Sequence, residues 1–198
     1  MTLSKPQQAG ILVVLALVMA GTRINHFGAL PDASWAIFFV AGFYLRGAFR
    51  WAFPLLMALA VLVDFLVING QGINFWSHYC VSAAYWFLIA AYASMWAGGA
   101  ILRARASAFD LRSLGLLVLT FSGAFSLCFL VSNGSFYWLS DSVPLRGFDG
   151  WMVNMADWFL PYLRSTAAYV CIAAAAHVVG ARWIRMLAGQ PHASGQRG

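Results

Sequence analysis

The sequence contains very little charge. Its 198 residues include no glutamate and a single lysine, and 62% of the residues are hydrophobic against 9% that are charged. A soluble globular protein needs more polar surface than this, so that class is excluded. The apolar runs approach the length of a bilayer crossing and lack the alternation of a membrane β-barrel. Backbone groups in lipid must be paired within the chain, so the composition predicts an all-α membrane protein.

Several catalytic and binding motifs are also missing. The three cysteines form no C-x-x-C pair, which argues against a membrane thiol oxidoreductase that exchanges disulfides. No Gly-x-Ser-x-Gly motif supports a serine hydrolase within the membrane. No stretch combines basic and aromatic residues into a groove, so nucleic acid is not an expected partner.

Six apolar segments predict a bundle of six transmembrane helices. We expect a single domain over residues 1–198 with a flexible tail from about 187 to 198. The first segment is short for a span, and Lys5 with Val18-Met19-Ala20 is also typical of a secretory signal, which is its alternative. The longest connection, Ser140–Asp157, is long enough to fold over a site. The expected helices are about Gly10–Gly21, Trp35–Arg46, Trp51–Ile68, Tyr79–Leu102, Ser113–Leu130 and Leu160–Gly180.

Basic residues are distributed unevenly between the two ends of this bundle. Lysine and arginine accumulate in cytoplasmic loops, so the richer end, which carries both termini, is expected in the cytoplasm. The net charge of +6 is therefore interpreted as a result of the membrane topology, since most of the basic residues lie at the end expected in the cytoplasm. The poorer end has Arg23, Arg146 and Arg164, and the richer end has Lys5, Arg46, Arg50, Arg103, Arg105, Arg112, Arg182, Arg185 and Arg197.

Cys80 follows a polar, glycine-bearing stretch and is expected in the first turn of the fourth helix, at the outer end. Unpaired N–H groups and the positive end of the helix dipole favour a thiolate there. Cys80 is then a nucleophile or a ligand for a soft metal. The alternative is a small buried hydrophobic residue, which is the more common situation of a cysteine.

Two charges are expected at similar depths near the outer end, Asp64 in the third helix and Arg164 in the sixth. They could form an ion pair that joins two helices, or hold a polar ligand. Of the histidines, only His26 and His78 are placed where they could face each other as a membrane haem requires. A haem or thiol redox enzyme that uses His26, His78 and Cys80 is therefore an alternative function.

The order of motifs resembles a known group of membrane proteins. An outer loop reads Arg23-Ile-Asn-His-Phe-Gly-Ala-Leu-Pro-Asp32, and an Ala-Ile-Phe-Phe run, Gly42-Phe-Tyr-Leu-Arg46 and a span ending in Asp64 follow. Together with six short helices, these are similar to the substrate-binding S-components of energy-coupling-factor vitamin transporters. Within that group the chain resembles the BtuM family of small vitamin B12 transporters, and the cysteine after the third outer loop matches Cys80.

The resemblance implies that the chain binds cobalamin and takes it up across the bacterial inner membrane. In that family the matching cysteine ligates the cobalt and supports decyanation, so Cys80 is the expected catalytic and cobalt-binding residue. A soft thiolate suits an axial position of cobalt. A corrin is broad and largely apolar with amide arms, so an aromatic cavity with a few polar groups suits it. The polar groups expected by position are His26, Asp64, Asn74, Tyr85 and Arg146.

The source of energy for uptake is left open by the sequence. No Gly-x-x-x-x-Gly-Lys-Ser/Thr motif is present, so this chain carries no ATP site of that kind, and active transport needs partner subunits or proceeds without ATP. Ala16 and Ala20 form a small-xxx-small pattern that allows close helix approach. This pattern resembles the patch through which S-components meet an energy-coupling module, which is therefore an expected partner.

Overall fold

The computed structural model describes residues 3–24, 31–106 and 110–188. All regular structure in these ranges is helical. Five segments are long and apolar enough to cross a membrane, and a sixth apolar helix is shorter, which agrees with the prediction of an all-α membrane bundle. The α-helices are α1 (Lys5–Ile24), α2 (Ser34–Tyr44), α3 (Phe49–Gly70), α4 (Leu88–Arg105), α5 (Leu111–Leu139) and α6 (Phe148–Ala188), with 3-10 turns at Arg46–Ala48, Phe75–Ser77 and Ala83–Phe87.

The short helix α2 forms the centre of the bundle. It has 11 residues, and side chains all round it are buried, as expected of a helix that is apolar on every face. Glycines let α4 approach it closely: a methyl group on Gly42 would overlap the carbonyl oxygen of Trp96, and one on Gly99 would overlap that of Phe39. The two backbones are therefore in direct contact, as is common where small residues line a helix interface in membranes.

Helix α1 is longer than predicted. It spans 20 residues, or about 30 Å, which matches the hydrocarbon thickness of a bilayer. Met19 is fully buried and Leu15 nearly so, both in the main core. α1 is thus an integral part of the bundle, and its last turn carries Arg23, which was expected in a loop.

The connection between α5 and α6 is shorter than predicted. Most of the expected loop Ser140–Asp157 is helical, because α6 begins at Phe148. The remaining loop is closed by Tyr137, whose hydroxyl accepts from the Gly147 N–H at 3.2 Å and donates to the Gly147 carbonyl at 3.0 Å. α6 itself has 41 residues, so it is about 60 Å long, roughly twice the hydrocarbon thickness. The predicted tail lies almost wholly outside the described residues.

Candidate functional site

A buried arginine lies at the centre of a polar cluster at one end of the bundle. Arg23 in the last turn of α1 is only 8% exposed. Its Nε donates to Asp64 Oδ1 at 2.6 Å and its Nη2 donates to Asp64 Oδ2 at 2.7 Å. This two-point contact is the strongest geometry for a guanidinium and a carboxylate. The third nitrogen, Nη1, donates to Asp32 Oδ2 at 3.0 Å.

Hydroxyl groups complete this arginine cluster. Nη1 also donates to Ser34 Oγ at 2.9 Å and to the Tyr92 hydroxyl at 3.2 Å. Tyr85 donates to Asp64 Oδ2 at 2.7 Å. The cluster joins α1, α3, α4 and the start of α2, and it holds one cation against two carboxylates. Its formal charge is therefore −1, which favours a neutral or cationic ligand group over an anionic one.

The expected pair of Asp64 and Arg164 is wrong. Asp64 is bound by Arg23, and Arg164 is exposed on α6. The error has a simple cause: the first helix was expected to end before Arg23, so the only intramembrane cation left to oppose Asp64 was Arg164. An additional turn of helix brings Arg23 to the depth of Asp64.

Cys80 lies in a turn between two 3-10 helices, Phe75–Ser77 and Ala83–Phe87. It is therefore not in the first turn of a long helix, as was expected. The buried His78 shapes this turn, because its Nδ1 accepts from the Cys80 N–H at 3.3 Å and its carbonyl accepts from the Val81 N–H at 2.8 Å. The thiol is half-buried and forms no disulfide.

The surroundings of Cys80 keep its thiol protonated. Burial raises the pKa of Cys80, and the nearby Asp64 carboxylate adds to the rise. The hydroxyl of Tyr79 and the guanidinium of Arg23 lower that pKa in part. Burial and the neighbouring thiol raise the pKa of Tyr79 to about 12. The expectation of a thiolate at neutral pH is therefore wrong. Cys80 is not in the first turn of a long helix, where the helix dipole would oppose these effects.

The α5–α6 loop is connected to the cysteine turn. Ser140 Oγ donates to the Tyr79 carbonyl at 3.4 Å. Arg146 in turn donates to the Ser140 carbonyl at 2.8 Å. A displacement of this loop would therefore move Tyr79, the residue that precedes Cys80.

The predicted binding residues have different surroundings. Tyr85 and Asp64 belong to the arginine cluster, and the pKa of Cys80 responds to Asp64, so these residues and the thiol are close together. Asn74 is exposed, and its Oδ1 accepts from the Trp76 N–H at 2.9 Å as the cap of a 3-10 turn. Arg146 is exposed at the same end of the bundle. His26 lies outside the described residues.

Exposed aromatic residues lie before and after Cys80 in the sequence. Trp76 is 74% exposed and Trp86 is 68% exposed, and Tyr79 is also open to the surroundings. Such rings are usual at membrane interfaces and equally suit a broad, flat ligand. The Cys80 end of the molecule thus combines a thiol, a polar cluster and apolar ring surface.

The remaining cysteines and histidines do not extend the site. Cys128 is buried in α5, and Cys171 is exposed on α6. Within the described ranges, no group of three or more His, Cys, Asp or Glu side chains is arranged to hold a metal ion. His177 is at the opposite end of the bundle, where its Nδ1 is 2.6 Å from the Tyr44 hydroxyl.

Comparison with known proteins gives no assignment, since no family model matches the chain and no curated protein matches it significantly.

Proposed function

We propose that this protein binds cobalamin at the Cys80 end and carries it across the bacterial inner membrane. The observation that supports this best is the position of Cys80: a free, half-buried thiol in a non-helical turn beside the arginine cluster. A turn leaves the thiol accessible from outside the helix bundle. Cobalamin presents a metal centre that takes a soft axial ligand, and Cys80 is the only cysteine whose surroundings combine access with polar groups.

The protonated thiol is compatible with this chemistry. A metal centre displaces the proton of a thiol when it binds, so a raised pKa delays ligation without preventing it. In cyanocobalamin the thiol proton passes to water, a sulfur–cobalt bond forms, and cyanide leaves with the electron pair of its own bond and is protonated to hydrogen cyanide in solution. This is a ligand exchange that leaves the oxidation state of cobalt unchanged. Decyanation therefore accompanies binding and needs no external reductant in this form.

The rest of the ligand would meet two kinds of surface. The amide arms would bond to Asp64, Tyr85, Asn74 and Arg146, with His26 as a further expected contact. The apolar faces of the corrin would lie against rings such as Trp76 and Trp86. Because most of the contact area would come from these surfaces, binding depends less on Cys80 than decyanation does.

Uptake requires the Cys80 end to face the outside. The end that carries Arg46, Arg50, Arg103 and Arg105 then faces the cytoplasm, in agreement with the distribution of positive charge. An energy-coupling module would contact α1. Ala16 packs partly against the core, so this contact would also use the adjacent exposed residues Val13, Val14 and Leu17.

The test is to mix cyanocobalamin with purified protein and record the absorption spectrum and the release of cyanide. Wild type should shift the corrin bands and release cyanide, and Cys80→Ser should do neither while still retaining cobalamin. Cys171→Ser is the matched control, because it removes an exposed thiol far from the turn and should behave as wild type. Equal cyanide release by wild type and Cys80→Ser would show that Cys80 only packs. A Soret band without added ligand would instead indicate a haem protein.

A further inference from the structure

A cavity lies at the end of the bundle opposite to Cys80. It is a groove of about 400 Å³ bounded by α2, α4, α5 and α6. Along α6 it extends from Val170 to Val178, about 12 Å at 1.5 Å per residue. The groove exists because α6 contributes Ala173 and Ala174 here, and these small side chains do not fill the space towards α5. None of the residues assigned to the Cys80 site lines it.

The groove is apolar along most of its length and polar at one end. Phe39, Leu117 and Val170 are among its apolar walls, whereas its polar lining includes Tyr44 at the end of α2, Arg103 in the last turn of α4, His177 on α6 and Asp110 at the start of α5. The guanidinium of Arg103 is 5.3 Å from the centre of the Phe43 ring, close enough for a cation–π contact that holds it at the groove. The hydrogen bond between Tyr44 and His177 closes the groove between α2 and α6.

The charge around the polar end is positive. Asp110 lines the groove together with Arg103, and Arg105 and Arg112 lie outside the lining but near in sequence, so three cations and one carboxylate give this region a net charge of +2. That carboxylate caps α5 by accepting from the Ser113 N–H at 2.8 Å, so part of its charge is compensated by the helix N-terminus. An anion with an apolar chain fits this arrangement: the chain along the alanines of α6 and the anion at Arg103.

We propose that this groove binds one anionic phospholipid, with an acyl chain between α5 and α6 and the phosphate at Arg103. The walls are apolar and are formed by helices of the membrane bundle. A ligand with an anionic group and an apolar chain would therefore reach the groove from the bilayer. Basic pockets between transmembrane helices on the cytoplasmic side hold such headgroups in general. The lipid would fill a gap along α6, a helix with little of its surface buried against the rest of the protein.

Two pairs of variants test this proposal. Arg103→Gln removes the charge at the groove, and Arg105→Gln removes the same charge from an exposed position outside it. Ala174→Leu fills the groove, and Ala175→Leu adds the same volume on an exposed position of α6. The full chain is placed in nanodiscs of phosphatidylcholine with a minor fraction of phosphatidylglycerol, and the lipid retained after extraction is counted by native mass spectrometry.

Wild type, Arg105→Gln and Ala175→Leu should each retain one phosphatidylglycerol. Arg103→Gln should bind it about fivefold more weakly, and Ala174→Leu should lose it while its thermal midpoint stays close to that of wild type. Equal retention by both members of each pair would overturn the proposal. Equal retention of phosphatidylcholine, or displacement of the lipid by millimolar inorganic phosphate, would also overturn it. Cys80→Ser should retain the lipid as wild type does, so the outcome is independent of the function of Cys80.

Discussion

At the scale of single residues, the raised pKa of Cys80 predicts how decyanation depends on pH. Burial and Asp64 favour the neutral thiol, so the thiolate is scarce at neutral pH and increases as the pH rises towards the pKa. The rate of cyanide release should therefore increase by up to about tenfold per pH unit between about pH 6.5 and pH 8.5, since the thiolate is the reacting form. Stopped-flow absorbance with cyanocobalamin measures this.

A matched control for the pH profile is Cys80→Ser, which should show no release at any of these values. A rate for wild type that is flat from pH 6.5 to pH 8 would contradict the prediction. It would mean that the thiol is already ionised at neutral pH, as a cysteine in the first turn of a helix would be.

The second prediction at this scale concerns the pair of Arg23 and Asp64. Replacing Arg23 by Leu leaves two carboxylates without their cation in a poorly solvated cluster, which should reduce the free energy of unfolding by about 3–5 kcal/mol. The double variant Arg23→Leu, Asp64→Leu should lose less than the sum of the two single losses. Each single variant leaves the other member of the pair without its partner, whereas the double variant removes both members. Thermal unfolding in detergent gives the four values of the cycle.

Arg164→Leu is the control for this cycle. Arg164 is exposed, so its removal should change the free energy of unfolding by less than about 0.5 kcal/mol. Additive losses for Arg23 and Asp64, or a large loss for Arg164→Leu, would contradict the arrangement described above.

At the scale of helices, the contact of α2 with α4 depends on glycine. Gly42→Ala places a methyl group against the backbone of Trp96, and backbone atoms cannot move aside as a flexible side chain can. The variant should lose more than about 2 kcal/mol of unfolding free energy. Gly115→Ala is the control: nothing lies near its added methyl group in α5, so the change should stabilise the helix by up to about 1 kcal/mol. Equal stability of the two variants would contradict the close contact.

Composition was sufficient to predict the helical class, because a chain with 9% charged residues must bury its backbone polar groups in helices to lie in lipid. Helix limits were harder to predict. Arg23 was expected in a loop although it lies just beyond an apolar run, and its two-point partner Asp64 is 41 residues away in sequence. Asp149 lies in the expected loop Ser140–Asp157, yet it occupies the first turn of α6, where an acidic residue is favourable.

The candidate site could be predicted only in part. Cys80 was proposed from its position and from the resemblance of the motifs, which no comparison tests, and Asp64 was proposed because it is an acid within a span. Tyr92 carried no signal, because its role depends on α4 packing against α2, which brings the Tyr92 hydroxyl to Arg23 and which no local pattern encodes. The state of the Cys80 thiol was predicted wrongly since it depends on whether a long helix begins at that residue, and the two 3-10 turns separate Cys80 from α4.

At the scale of the whole molecule, orientation in the membrane is the remaining prediction. The end that carries Arg103 and Arg105 should face the cytoplasm, because basic residues are retained there. Green fluorescent protein fused after Gly198 should therefore fluoresce, and alkaline phosphatase fused at the same point should be inactive. As the matched control, alkaline phosphatase inserted after Ser142 should be active. The reverse pattern would place the Cys80 end in the cytoplasm and contradict uptake through it.

The arginine cluster also has a consequence for the synthesis of the chain. Arg23 and Asp64 are 41 residues apart in sequence, whereas Arg23 and Asp32 are nine apart. The ribosome therefore synthesises Arg23 first, then Asp32, which accepts one hydrogen bond from it, and last Asp64, which makes the two-point contact. We expect α1 to enter the bilayer with Arg23 held at the membrane edge by Asp32, and to settle to its final depth only when α3 delivers Asp64.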